Sequence, residues 1–279
     1  MTILVTAASG HLGRLAIDAL LARGVQPGDI RAGARTPSAL ADLAERGVEV
    51  VHADYDQPDS LASALAGVQK LLLVSSSAVG QRARQHQNAI DAAGVEQIVY
   101  TSAPRATTSD LVLAPEHKAT EEALAASGLP TTILRNNWYS ENYLGLIEQV
   151  RATGELVASV GEGRVASASR ADYADAAAVV LTTDGHIGQV YELGGDVAWT
   201  HHDLAAVLTR VTGREVVYRA LDTEQHAAAL TEAGLDEGTI GFVTALDAGI
   251  RDGALAEVTG DLSRLIGRPT TPLAQTLGA

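Results

Sequence analysis

Short apolar runs separated by amphipathic stretches fill the first half of this chain, and that alternation constrains its fold more than any other feature. The runs Thr2–Thr6, Ile30–Ala34, Val48–His52, Lys70–Ser75, Gln97–Thr101 and Thr131–Leu134 are short and nearly continuous in apolar residues, as strands buried on both faces of a parallel sheet are. Between the first two, Leu12, Leu15, Ala16, Ala19 and Leu20 recur at helical spacing, and Gly24 stands where that helix should stop. Thr36-Pro37 reads as an N-cap followed by proline at the first helical position, opening a helix toward Arg46. Ser127-Gly128-Leu129-Pro130 ends another helix before the sixth run. The pattern predicts an α/β fold, a doubly wound parallel sheet with crossover helices. Further on the rhythm weakens. Gly161-Glu162-Gly163 reads as a turn, Ala171–Thr182 as a helix, Val190–Leu193 and Glu215–Tyr218 as strands, and Thr200–Thr212 as a helix capped by Thr200 and stopped by Gly213. The expected division is residues 1–154 and 155–279, the second part a smaller α/β lobe on the same body.

Charge and composition narrow the partners. Twenty Lys and Arg stand against 34 Asp and Glu, a formal charge of −14. Such a surface repels phosphate backbones and anionic lipid, so neither nucleic acid nor a membrane is expected as a partner. With no cysteine, disulfides, thiolate metal sites and cysteine nucleophiles are excluded. The start, Met1-Thr2-Ile3-Leu4-Val5, has no basic flank, and no apolar stretch reaches the roughly 20 residues of a membrane span. A cytoplasmic chain is expected.

The first strand runs straight into Thr6-Ala7-Ala8-Ser9-Gly10-His11-Leu12-Gly13, and a helix follows at once. In a strand–turn–helix setting this is the phosphate cradle of a Rossmann-type dinucleotide fold. Gly10 lets the backbone approach a pyrophosphate, Gly13 lets helix and strand pack closely, and the helix N-terminus offers N–H donors and a positive dipole. NAD binders usually place an acid at the end of the second strand for the ribose 2′-hydroxyl. Here that strand ends at Arg35-Thr36, and a guanidinium suits a 2′-phosphate, so NADP(H) is the expected cofactor.

Carbonyl reductases of this fold carry Tyr-x-x-x-Lys, whose phenol protonates the nascent alkoxide. The two lysines, Lys70 and Lys118, are preceded four residues earlier by Ala66 and Ala114, so the motif is absent. His117 stands in the most similar place, where it reads either as an acid or as a helix-surface residue. No metal-ligand spacing occurs, since His201-His202 are adjacent and His-Glu-x-x-His is missing. Ser75-Ser76-Ser77 lack the glycines of a nucleophile elbow and are expected to line the cofactor. No catalytic side chain and no metal are assigned. An aromatic group, Trp138, Tyr139 and Tyr143, follows the sixth strand at its carboxyl end, where open α/β sheets bind ligands. Flat rings there suit a flat substrate or the nicotinamide, and packing is the alternative. Asn136 and Asn137 add amides beside it.

Several strings together resemble the NmrA-like branch of the atypical short-chain dehydrogenase/reductases, and within it the bacterial NADPH:quinone oxidoreductases of the second type. They are Leu4–Gly13, Asp54-Tyr55, Leu71–Ser77, Val79-Gly80-Gln81-Arg82, Tyr100-Thr101-Ser102, Leu134-Arg135-Asn136, Trp138–Tyr143, Ala168–Tyr173, Tyr191-Glu192-Leu193 and Leu265–Thr271. The resemblance implies that the glycine turn and Arg35 hold NADPH, that Ser75, Ser76 and Ser77 run along it, and that the Asn136–Glu141 segment surrounds its nicotinamide half. It adds Arg170 as a cofactor contact and Gln81 as a substrate contact, with Asn137, Trp138, Tyr139 and Tyr143 as further substrate contacts. The C-terminal part, read from the weakened rhythm and the absence of a linker, is expected to be the substrate-side lobe. Two positions depart from the family: Ala7 and Asn137 stand where glycine is expected, and the Ala7 methyl intrudes on the tightest bend. Hydride addition to a quinone leaves a weakly basic phenolate that solvent can protonate, which accounts for the missing tyrosine. The expected activity is hydride transfer from NADPH to a quinone or related flat electrophile. Two alternatives stay open: a nucleotide-sensing regulatory protein without turnover, and a reductase of enones, imines or activated carbonyls. Oligomeric state is not legible.

Overall fold

The computed structural model describes residues 1–279. In chain order the first elements are β1 (Ile3–Val5), α1 (His11–Ala22), β2 (Ile30–Ala34), α2 (Ala41–Glu45), β3 (Glu49–His52), α3 (Pro58–Leu65), β4 (Lys70–Leu73) and α4 (Arg82–Ala92). They continue as β5 (Gln97–Ser102), α5 (Ala114–Ser127), β6 (Thr131–Asn136), α6 (Ile147–Thr153), β7 (Glu155–Ala158), β8 (Arg164–Val165), α7 (Arg170–Thr182) and β9 (Val190–Leu193). The last are β10 (Trp199–Thr200), α8 (His201–Thr212), β11 (Val217–Ala220), α9 (Thr223–Glu232), α10 (Glu237–Arg251), α11 (Asp261–Ile266) and α12 (Leu273–Leu277). No helix is long and apolar enough to cross a membrane.

The chain divides into two units that interleave along it, so one boundary near residue 154 does not describe the division. The first unit is Met1–Thr107, Pro115–Asn136 and Arg170–Glu192; the second is Thr108–Ala114, Asn137–Ser169 and Leu193–Ala279.

A seven-stranded sheet in the order β3-β2-β1-β4-β5-β6-β9 forms the first unit, a doubly wound Rossmann-type arrangement. The neighbours from β3 through β6 are parallel, with Val5 opposite both Ala32 and Leu72. Ile3, Leu4, Leu71, Leu72, Leu73, Ile98 and Val99 are fully buried, which is why these strands read as unbroken apolar runs. Alanine-rich α7 packs along α1, where small side chains let two helices approach. Strand order reverses at β1, and in open α/β sheets ligands bind beyond the carboxyl ends of the strands at that reversal. The loops that leave β1 and β4 therefore stand at the position that matters most.

Thr36 occupies an N-cap position, but its side chain caps nothing, and the segment is a 3-10 turn over Pro37–Leu40 before α2. Thr200 does cap α8, in a reciprocal capping box with Asp203, and Gly213 ends that helix at φ +68°.

The second unit is built on a parallel pair, β7 with β11, and an antiparallel pair, β8 with β10. Its core gathers Val160, Trp199, Leu204, Leu208, Tyr143 and Leu255. The sequence places the last strand at Glu215–Tyr218; pairing with β7 sets it at Val217–Ala220.

Candidate cofactor and substrate site

The turn after β1 is shaped by backbone contacts. Ala7 sits in the left-handed region at φ +47°, a conformation costing a non-glycine residue about 1–2 kcal/mol. Its carbonyl accepts the Gly10 N–H at 2.9 Å, and the Ala8 N–H donates to Gly33 O of β2 at 2.9 Å. A Cβ on Gly13 would stand 2.6 Å from Ala7 O and 3.0 Å from Ala8 Cα, so only glycine permits this closeness of α1 to the turn. Gly10 gives α1 no side-chain cap. The first-turn N–H groups are thus open to an anion, with the positive end of the helix dipole behind them. Ser9, Gly10 and His11 are exposed, while Leu12 and Gly13 are buried.

Thr6 has another role. It is 2 % exposed; its hydroxyl donates to Leu72 O at 2.9 Å and accepts the Val74 N–H at 3.0 Å. The Tyr55 hydroxyl lies 2.6 Å from both Thr6 Oγ1 and Val74 O. Thr6 and Tyr55 therefore bolt the exit of β1 to the exit of β4, and burial pushes the Tyr55 phenol well above its usual range. Arg35 follows β2, exposed and without a hydrogen bond.

Beyond β4, the Ser75 N–H donates to Thr101 Oγ1 at 2.9 Å. Ser76 is held on every polar atom. Its N–H donates to His86 Nε2 at 3.0 Å, its carbonyl accepts Arg82 Nε at 2.6 Å, and its hydroxyl donates to Gln85 Oε1 at 2.5 Å while accepting the Ala78 N–H at 3.1 Å. Ser77 and Gln81 are exposed, and Gln81 Oε1 accepts Arg84 Nη2 at 3.3 Å. Sequence reasoning missed Tyr55, Arg82, Gln85 and His86 as parts of this region. A polar helix face gives no periodic signal, because its burial is offset by hydrogen bonds rather than by apolar packing.

His117 is not on the helix surface. It is 5 % exposed, its Nδ1 lies 2.8 Å from the Tyr100 hydroxyl, and burial, with Arg82 nearby, lowers its pKa to about 3. Burial likewise lowers His86 to about 3, and its Nδ1 lies 2.9 Å from Thr120 Oγ1. Both imidazoles are neutral near pH 7, and His117 is buried against Tyr100 rather than presented to a ligand.

Asn136 ends β6 in the first unit, buried, and Arg170 is the half-buried first residue of α7. Asn137 opens the second unit, and its side chain is spent internally: Oδ1 accepts the Trp138 N–H at 2.7 Å and Nδ2 donates to Leu255 O at 3.2 Å. Trp138 and Tyr139 are half-buried, with the Trp138 carbonyl accepting Ala168 N–H at 3.2 Å. Tyr143 instead enters the core of its unit, 8 % exposed and edge-on to Trp199 at 5.0 Å. Burial raises its phenol pKa out of the physiological range. Ser159, His226 and Asp247 also meet in this unit. The Ser159 hydroxyl donates to Asp247 Oδ2 at 2.9 Å, the same oxygen that lies 2.9 Å from His226 Nδ1. The Asp247 carboxylate accepts the hydroxyl's hydrogen bond, and His226 Nδ1 lies farther from that hydroxyl, at 3.3 Å, so the group ties elements together and does not form a nucleophile.

Comparison with known proteins fits this geometry. Residues 7–184 match the NAD(P)H-binding family. Quinone oxidoreductase 2 of Escherichia coli K12 is 48 % identical over 278 residues, covering 99 % of this chain and 97 % of the relative. A crystal structure described as NADPH-dependent quinone oxidoreductase from Escherichia coli complexed with NADPH superposes with a TM-score of 0.95 at 47 % identity, over 99 % and 98 % of the two chains. The triphenylmethane reductase of Citrobacter sp. gives a TM-score of 0.93 at 38 % identity, over 99 % and 98 %.

Proposed function

The chain belongs to the NAD(P)H-binding family, NmrA-like in kind, and from that premise we propose that it is a cytoplasmic NADPH-dependent oxidoreductase acting on a quinone or a related flat, conjugated electrophile. The observation that carries the reading is the glycine turn. Gly13 is pressed against the Ala7 carbonyl, α1 has an uncapped N-terminus, and exposed Arg35 stands at the end of the neighbouring strand. These features fit a dinucleotide diphosphate and a 2′-phosphate.

When bound, NADPH supplies the hydride. The chain supplies position and exclusion of water. In this reading the open amides of α1 hold the diphosphate, Arg35 holds the 2′-phosphate, and Thr6 with Tyr55 keeps the turn rigid. Ser75 and Ser77 line the cofactor, Asn136 and Arg170 contact it, and Trp138 and Tyr139 offer flat faces to the acceptor, with Gln81 a further contact. Tyr143 supports that wall from the core. No side chain is assigned as proton donor, because His117 and Tyr100 are buried against each other. An acceptor whose reduced form is an aromatic phenolate needs none, since solvent protonates it. Catalysis then rests on holding two rings at reacting distance.

The cofactor half is tested by Arg35→Ala. Losing a charge-assisted contact should weaken NADPH about ten- to a hundredfold and leave NADH almost unchanged. Fluorescence titration with both dinucleotides measures this, and a variant that keeps its NADPH preference contradicts the assignment. The acceptor half is tested by NADPH consumption over a panel of quinones, ketones and enones. Quinones should turn over fastest, and a ketone that outruns them contradicts the reading.

A further inference from the structure

We propose that Gln85 is a specificity-determining positioning residue: its amide joins Ser76 to Asp56 and, with Arg84, occupies the Asp56 carboxylate so that Arg35 stays uncommitted for the 2′-phosphate of NADPH. The inference rests on the reading that Arg35 receives that phosphate.

The geometry begins at the sheet. Ala34 lies opposite His52, and the Ala53 N–H donates to Ala34 O at 3.0 Å. The turn Asp54–Asp56 therefore leaves β3 beside the point where Arg35 leaves β2. An aspartate next to a free arginine would ordinarily pair with it. Here both oxygens of Asp56 are taken from the other side, Oδ1 by Arg84 Nη2 at 2.5 Å and Oδ2 by Gln85 Nε2 at 2.9 Å. The Asp56 carboxyl is held below the usual range chiefly by those two donors, with Arg35 contributing only through its field. Arg35 stays exposed with no hydrogen bond.

Gln85 is itself fixed. It is 6 % exposed, and Arg82 and His86, three residues before it and one after, are 5 % and 0 % exposed on the same face of α4. Its Oε1 accepts the Ser76 hydroxyl at 2.5 Å, which sets the amide's orientation and aims Nε2 at Asp56. Asn88 of the same helix donates to Tyr55 O at 2.8 Å, fixing the turn next to Asp56. Buried polar side chains on one helix face are costly unless each finds a partner. These find theirs in the two loops at the carboxyl edge of the sheet. Ser76 is accordingly an anchor for Gln85 rather than a ligand of the cofactor.

The test is Gln85→Leu, which keeps the volume and removes both hydrogen bonds. Asp56 Oδ2 is then free to capture Arg35. NADPH should bind about ten-fold more weakly while NADH affinity changes much less, and in turnover the loss should fall in KM for NADPH rather than in kcat. Adding Asp56→Asn removes the competing charge and should restore most of the NADPH affinity. Equal weakening of both dinucleotides, or no rescue by Asp56→Asn, overturns the proposal, since general loosening of the loops would behave that way. If Gln85→Leu does not fold, Gln85→Glu repels Asp56 toward Arg35 and should shift the preference the same way; an unchanged preference there also overturns it. Arg35→Ala run in parallel separates the two levels. If it leaves the NADPH preference intact, the 2′-phosphate reading fails. If it abolishes the preference while the Gln85 variants do not, only this proposal fails.

Discussion

Moving from pH 7 to pH 5 should cost the folded chain roughly 5–6 kcal/mol through three buried histidines. His86, His117 and His201 are 0 %, 5 % and 4 % exposed, and burial lowers their pKa values to about 3, 3 and 4. Arg82 reinforces the first two, while the Asp247 carboxylate partly opposes the shift at His201. Each imidazole is neutral in the fold and takes up a proton on unfolding once the pH is below its ordinary value near 6.5. The unfolded chain then binds more protons, so stability rises with pH between those folded values and about 6.5, and is lost as pH falls through that window. At pH 5 each site contributes a loss of about 2 kcal/mol. A typical domain holds only about 5–15 kcal/mol in all, so unfolding should come close to ambient conditions. Two of the three sites lie in the first unit, which should be the more acid-labile. Urea titrations at several pH values measure the effect. The Nδ1 of His201 is buried without a hydrogen-bond partner, so His201→Phe should remove about a third of the pH dependence at little cost near neutrality. A stability that is flat from pH 7 to pH 5 contradicts the burial of neutral imidazoles.

Gly13→Ala should lower NADPH affinity at least about a hundredfold. The added Cβ would stand 2.6 Å from Ala7 O and 3.0 Å from Ala7 C and Ala8 Cα, all backbone atoms that cannot rotate away. Helix α1 must shift from the turn, and the amides meant for the diphosphate move with it. Overpacking of this kind also costs about 1–3 kcal/mol of stability. Gly10→Ala gives the comparison. Its Cβ meets only Ala7 O, at 3.2 Å, and Gly10 has φ −81°, so a displacement of a few tenths of an ångström suffices and the loss should be much smaller. Fluorescence titration and thermal melts of the two variants give both quantities. A Gly13→Ala chain that binds NADPH as well as the parent contradicts the placement of the diphosphate.

The sheet was legible because its signal is physical and local. Ile30–Ala34 is legible to the residue because a strand buried between neighbours is nearly all small or apolar. Val190–Leu193, at the edge of the sheet with Val190 exposed, is bounded instead by its β-branched and aromatic residues rather than by burial. Thr200 and Gly213 marked α8 because a capping box and a left-handed stop are written in residue type. The second unit was harder. Its pairs β7 with β11 and β8 with β10 are only two strands wide, and α10 carries Gly238, Gly241 and Gly249 within an otherwise amphipathic pattern. The cradle was visible in Ala7–Gly13. The supporting polar groups were not: Arg82, Gln85 and His86 look like a solvated helix face, yet each is buried against a loop. The burial of His117 is hidden for the same reason, since a histidine satisfied by Tyr100 leaves no trace in spacing. Tyr143, next to a wall of half-buried aromatics, turned inward toward Trp199 instead.

The central claim is NADPH-dependent hydride transfer to a quinone with no proton donor from the protein. Its most direct test is a single turnover. The chain is saturated with NADPH, mixed rapidly with a benzoquinone, and followed by the loss of NADPH absorbance, once with ordinary NADPH and once with deuterium in the transferred position. The account predicts rapid loss of the signal, slowed by deuterium and flat across neutral pH. NADPH that stays bound and unoxidised before every quinone, or a rate that follows the titration of a single protein group, would contradict it.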